Sequence, residues 1–189
     1  MLTQHKDRLR RLVAFRLDQR MQGRVDPSDV IQEAYIEASR CLAEYLRDPA
    51  LPFFLWLRML TWRKLRELHR HHLGAQMRDA GREVSLYRGT MPETTSAALA
   101  AQLLGQATGP SEAAVRAEVK VRLQEALNSM DQMDREVLAL RHFEQLSPTE
   151  TAQVLGIKEK AAGMRFVRAL RRLKEILAGL PGGIMEFGP

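Results

Sequence analysis

The segment Leu146–Leu177, LSPTETAQVLGIKEKAAGMRFVRALRRLKEIL, constrains the fold more than any other. Ser147 is a strong N-cap, Pro148 suits the first helical position and Glu150 completes a capping box, so a helix is predicted from Pro148. It must stop at Gly156, which accepts a positive φ without steric cost. A second helix is predicted over Lys158–Ala178, with Ala162, Phe166, Ala169 and Leu173 on one apolar stripe. Lys160, Arg165, Arg168, Arg171 and Arg172 fall largely outside that stripe. This is the outline of a helix-turn-helix whose second helix fits a DNA major groove. The competing reading is a basic surface helix that closes a bundle. Cap, Gly turn, amphipathic helix and clustered cations together favour duplex DNA, with Arg and Lys on phosphates and base edges. Gly163 costs about 1 kcal/mol against Ala in mid-helix; it either admits a close approach of DNA or is simply tolerated.

The rest of the chain is also helical in period, with no convincing β alternation. A first helix is predicted over Thr3–Arg20, with Leu9, Leu12, Val13, Arg16 and Leu17 on or near one face, and Gly23 breaks it. Asp26 caps a second helix that begins at Pro27 and runs to about Arg47. Asp48-Pro49 and Pro52 punctuate the next turn. A third helix is predicted from Phe53 to about His72. Residues 81–110 shift to Gly, Ala, Ser and Thr, which reads as a linker, with a short helix on it over Ser96–Leu104. Further helices are predicted over Glu112–Ser129, Gln132–Phe143 (capped by Asp131), Pro148–Leu155 and Lys158–Ala178. The expected architecture is all-α, with two helical domains at 1–80 and 111–180, the linker 81–110 between them and a tail at 181–189.

Net charge is +6 with a pI near 9.9, which favours a polyanionic partner. Its distribution says more than the total. Residues 3–24, 58–88 and 157–178 each carry a net charge of +5, whereas residues 26–48 carry −4. The lone cysteine, Cys41, excludes an internal disulfide framework. No apolar run reaches the roughly 20 residues of a membrane helix, and the N-terminus lacks an unbroken apolar signal segment. A soluble cytoplasmic protein is expected.

On the second helix Asp29, Glu33 and Glu37 recur every four residues and form one negative stripe, which Arg40 relieves only at one end. A basic protein partner would relieve the remainder; a solvated acidic face is the plainer alternative. Val30, Ala34, Ala38 and Leu42 on the other face belong in a core. On the third helix Leu57, Leu60, Leu65 and Leu68 suit burial, while Met59, Trp62, Arg63, Arg66, His69 and Arg70 share another face. Cations interleaved with an aromatic ring suit an unpaired strand, charge for phosphates and a flat ring for bases. Trp56 belongs in the core, and Trp62 fits either place. His69, His71 and His72 cluster without metal-site spacing, and neither a Gly-rich phosphate loop nor a nucleophile elbow occurs. No cofactor and no catalysis are expected.

These pieces in this order resemble a sigma-70-type initiation factor of the small extracytoplasmic-function (ECF) group, a family with two helical domains, sigma-2 and sigma-4, on a flexible linker. DPSDVIQEAYIEASR (Asp26–Arg40) resembles the sigma-2 helix that docks on the β′ clamp helices of core RNA polymerase. The resemblance implies Asp29, Gln32 and Glu33 as docking residues. PFFLWLRMLTWRKLRELHRHH resembles the segment that melts and reads the −10 element, which implies Met59, Trp62, Arg63, Arg66 and Arg70 there. Asp134–Leu177 resembles sigma-4, which reads the −35 element and binds the β flap, and implies Lys158, Lys160, Arg165, Arg168 and Arg172 as DNA contacts. The implied partners are core polymerase, promoter DNA and, in many such systems, an anti-sigma factor. Arg63 stands where the family often has Asn, and Gly163 where it often has Lys. The alternative is a stand-alone helix-turn-helix regulator.

Overall fold

In the computed structural model, residues 3–17, 21, 23–73, 99–100, 103 and 113–179 are described. They are helical, with no strand among them. The chain divides into two compact units, Met1–Arg88 and Gly89–Pro189.

The first unit is a bundle of three helices: α1 (Lys6–Arg16), preceded by a 3₁₀ turn at Thr3–His5, α2 (Pro27–Arg47) and α3 (Phe53–Leu73). Each helix packs on the other two. Leu9, Leu12, Val13 and Phe15 of α1, Val30, Ile31, Ala34 and Ala38 of α2, and Leu55, Leu57, Leu60 and Leu65 of α3 fill the core. Truncating one such leucine to Ala costs about 2–5 kcal/mol. Asp26 caps α2 by accepting from the Ser28 N–H at 2.8 Å, with Pro27 at the first helical position. At the far end Tyr45 stacks on Trp56 with ring centres 4.4 Å apart and donates to the Leu51 carbonyl at 2.9 Å. That hydroxyl satisfies a turn carbonyl while the ring seals the bundle end.

Helix α1 is shorter than its apolar pattern predicts. Leu17 is already extended, with its N–H on the Val13 carbonyl, and residues 18–20 lie outside the described set. Leu42 is also corrected: it is 38% exposed, because it lies at the edge of the stripe formed by Val30, Ala34 and Ala38, although Tyr45 further along α2 still packs on Trp56. Trp56 is in the core as expected, whereas Leu68 is half-buried.

The second unit contains α4 (Ala113–Asn128), α5 (Gln132–Leu138), α6 (Pro148–Leu155) and α7 (Glu159–Ala178). Helices α4, α5 and α6 all pack on α7. Its core holds Leu123, Leu127, Val137, Leu138, Leu140, Leu146, Ala152, Ala162, Ala169 and Leu173. The sequence predicts one helix over Gln132–Phe143. The backbone instead widens to a π-turn over Ala139–Phe143, where the Glu144 N–H reaches the Ala139 carbonyl at 2.9 Å. Gln145 follows in the left-handed region with φ 56°, so the chain reverses there without a glycine. Leu99, Ala100 and Leu103, within the segment read as a linker helix, are helical and buried. The rest of 81–110, and the 181–189 tail, lie outside the described residues.

Candidate nucleic-acid interface

The helix-turn-helix forms as its local chemistry dictates. Ser147 accepts from the Glu150 N–H at 3.1 Å and Glu150 accepts from the Ser147 N–H at 2.8 Å, so both halves of the capping box are made. Gly156 ends α6 at φ 65°, ψ 30°, and the Ile157 N–H closes the turn on the Ala152 carbonyl at 3.0 Å. Thr149 then donates to Glu159 at 2.8 Å and ties the start of α6 to the start of α7. These contacts fix the angle at which α7 leaves the turn.

Ala162, Ala169, Leu173, Ile176 and Leu177 line the buried side of α7. Phe166 is only half-buried, with the Arg141 guanidinium 5.1 Å over its ring, so it contributes less than a fully enclosed phenylalanine. Directly opposite the buried side stand Lys160, Met164, Val167 and Arg171, all exposed, with Met164 at 67% and Val167 at 58%. Lys158 is exposed at the N-cap. Of this outward row the sequence-based set named only Lys160. Arg171 and the two apolar residues follow from helical spacing once the buried side is known, since they lie four, seven and eleven residues from Lys160. An added Cβ at Gly163 meets nothing within 4 Å.

Three further cations of α7, Arg165, Arg168 and Arg172, are engaged within the protein, while Lys174 is exposed. Arg165 donates to Asp134 at 3.0 Å, and Arg168 makes a two-pronged contact with the same carboxylate at 2.9 and 2.7 Å. Arg165 also lies 3.5 Å from Asp131. The Asp134 side chain is 9% exposed, against 35% for Arg165 and 60% for Arg168. Burial pushes the Asp134 carboxyl up, but the hydrogen bonds from Arg168 and Arg165 outweigh it and hold the group below its ordinary value. Arg172 pairs with Glu175 at 3.1 Å and reaches the Ser129 hydroxyl.

The first unit presents its charges differently. Met59, Trp62 and Arg66 are half-exposed on α3 and Arg63 and Arg70 fully so, and their spacing sets all five on one face. Among the described residues no carboxylate pairs with Arg63, Arg66 or Arg70; Lys64 on the same helix pairs with Glu67 at 3.2 Å. Trp62 carries the Arg16 guanidinium 5.7 Å from its ring centre, so it stays outside the core with one side covered. His69, which the spacing places on the same side of α3 beside Trp62, is nevertheless buried, and the described residues hold no group of three metal-binding side chains. On α2, Asp29, Gln32 and Glu33 are exposed together, opposite the buried Ala34 and Ala38. Glu37 is half-buried and 3.9 Å from Arg40. No described helix is long and apolar enough to cross a membrane.

Residues 120–173 match the family model for sigma-70, region 4. An ECF RNA polymerase sigma factor named SigD, from Mycobacterium tuberculosis, is 32% identical over 147 residues, which are 78% of this chain and 61% of that protein. The RNA polymerase sigma factor CnrH of Cupriavidus metallidurans is 29% identical over 153 residues, 80% of this chain and 73% of that one. The chain thus spans about 61% of the length of the SigD relatives. Among solved structures, CnrH in complex with the cytosolic domain of CnrY matches with a TM-score of 0.50 and 23% identity, over 95% of this chain and 86% of that one. That likeness supports the all-α, two-unit fold.

Proposed function

The chain belongs to the ECF group of the sigma-70 family, and from that premise we propose that it directs core RNA polymerase to promoters and helps to open them. The observation that carries this reading is the exposed set of two carboxylates and an amide, Asp29, Glu33 and Gln32, in the same unit as the open cationic face of α3. A stand-alone DNA-binding regulator has no need of that pairing.

In this reading Asp29, Gln32 and Glu33 dock on the β′ clamp helices, and the second unit contacts the β flap. Opening DNA loses base pairs, so the protein must favour the melted strand over the duplex. Arg63, Arg66 and Arg70 would hold its phosphates and Trp62, beside Met59, would stack on a base, worth about 1–3 kcal/mol per base. Helix α7 would lie in the −35 major groove with Lys160, Met164, Val167 and Arg171 toward the bases. Lys158 sits at the positive end of its dipole, where phosphates are drawn. Arg165, Arg168 and Arg172 flank that row. The chain contributes recognition and no bond-making chemistry; polymerase makes the RNA, and the site of action is the cytoplasm. An anti-sigma partner is part of the same reading, supported by a relative, CnrH, solved with the cytosolic domain of CnrY.

Transcription reconstituted from purified core polymerase, this protein and genomic DNA fragments tests the proposal. Transcripts starting at a shared sequence pattern are expected. Duplex binding with no transcript at any fragment would instead favour the stand-alone regulator.

A further inference from the structure

Asp134 lies 31 residues before Arg165 and 34 before Arg168, on a different helix, and is enclosed where they are not. One carboxylate therefore holds two guanidiniums by three hydrogen bonds of 2.7–3.0 Å. The two-pronged contact with Arg168 fixes the plane of that guanidinium as well as its position. Asp131 lies 3.5 Å from Arg165, and among the described residues no additional cation is in ion-pair contact with Asp134.

We propose that Asp134 is a positioning residue for duplex recognition: it clamps Arg165 and Arg168 against the flank of α7 and keeps them from binding phosphates freely. A flexible arginine beside the groove grips the backbone of any sequence, because phosphate attraction does not depend on the bases. Clamped arginines cannot follow the backbone from one site to the next. Discrimination then falls on the outward row of Lys160, Met164, Val167 and Arg171, whose side chains reach base edges only in one register. Asp134 thereby exchanges general affinity for selectivity. This inference rests on the promoter reading only for the identity of the DNA; the clamp itself makes a claim about salt dependence that stands separately.

The test uses the full chain and a short duplex of randomised sequence, with binding measured across a salt series and the bound fraction sequenced. For Asp134→Asn, the magnitude of the log–log salt slope should rise by about 0.9 for each of the two arginines that gains a phosphate. The advantage of the variant over wild type should therefore grow about 3.5-fold per released arginine between 200 and 50 mM salt. The sequence pattern recovered from the bound pool should weaken at the same time. An unchanged slope and an unchanged pattern, with helicity retained by circular dichroism, would overturn the clamp. Should Asp134→Asn not fold, Arg168→Gln serves in its place: a slope equal to wild type supports the clamp, and a slope smaller by about one makes Arg168 a phosphate ligand and ends it. If wild type recovers no sequence pattern, the −35 reading fails, while the slopes still decide the clamp.

Discussion

The two basic helices dispose of their positive charge in opposite ways. On α3, Arg63, Arg66 and Arg70 point outward with no carboxylate partner among the described residues. On α7, Arg165 and Arg168 close on Asp134, and Arg172 on Glu175 and Ser129. Both segments are equally basic by count, so net charge does not report what is available to a nucleic acid. The difference suits the proposed targets. A melted strand has no fixed shape, and mobile cations can follow it. A duplex has a fixed groove, and a stiff helix that meets it in one register reads it better. Helix α3 thus leaves Arg63, Arg66 and Arg70 without a carboxylate among the described residues, whereas α7 engages Arg165, Arg168 and Arg172 within the second unit.

The contrast breaks most directly at α2. Reversing Asp29 and Glu33 to Arg should abolish core polymerase binding in a pull-down while leaving thermal stability nearly unchanged, since surface substitutions usually stay within about 0.5 kcal/mol. Retained binding would remove the first unit's acidic face from the account. The opposite outcome is expected in the second unit. Asp134→Ala should cost about 1–3 kcal/mol in urea unfolding, the scale of hydrogen bonds to charged groups. Both tryptophans lie in the first unit, so fluorescence should miss this loss and far-ultraviolet circular dichroism should register it.

Acid sharpens the same point. The Asp134 carboxyl is held below its ordinary 3.8 in the folded protein, so folding favours the charged form. That stability is complete above pH 3.8 and drains away as pH falls below it, toward the lowered value. Asp26 of the first unit is held low by the Ser28 N–H and behaves in the same sense. The acid-induced loss seen by circular dichroism but not by tryptophan should disappear in Asp134→Asn. The smallest effect belongs to Gly163→Ala. A methyl there meets open space, so the second unit should gain up to about 1 kcal/mol. Weaker −35 binding by the same variant would show that the DNA backbone passes over Gly163; unchanged binding would mark it as merely tolerated.

Local chemistry was legible in the sequence, and pairing across helices was not. Asp26, Asp131, Ser147 with Glu150, and Gly156 each set a helix boundary through atoms a few residues away, and the helices begin or end where those residues predict. The exposure of Asp29, Gln32 and Glu33 followed from apolar spacing on the other face of α2. The engagement of Arg165 and Arg168 did not, because nothing near them names a partner 31 or 34 residues earlier. Leu42 misled for a related reason: its spacing is near that of a core residue, but it falls at the edge of the buried stripe, where burial depends on a neighbour the sequence does not name. The π-turn at Ala139–Phe143 has helical spacing too, and its extra residue per turn leaves no mark on the apolar pattern.

The Asp134 clamp also divides the mutational freedom of α7. Positions 165 and 168 are tied to Asp134 on α5, so a change there loosens a contact between two helices. Positions 160, 164, 167 and 171 are exposed on the outward side of α7, so single changes there cost the fold little. Under the proposed reading of α7, a new sequence preference would need only four surface letters rewritten, while the frame that presents them is inherited intact.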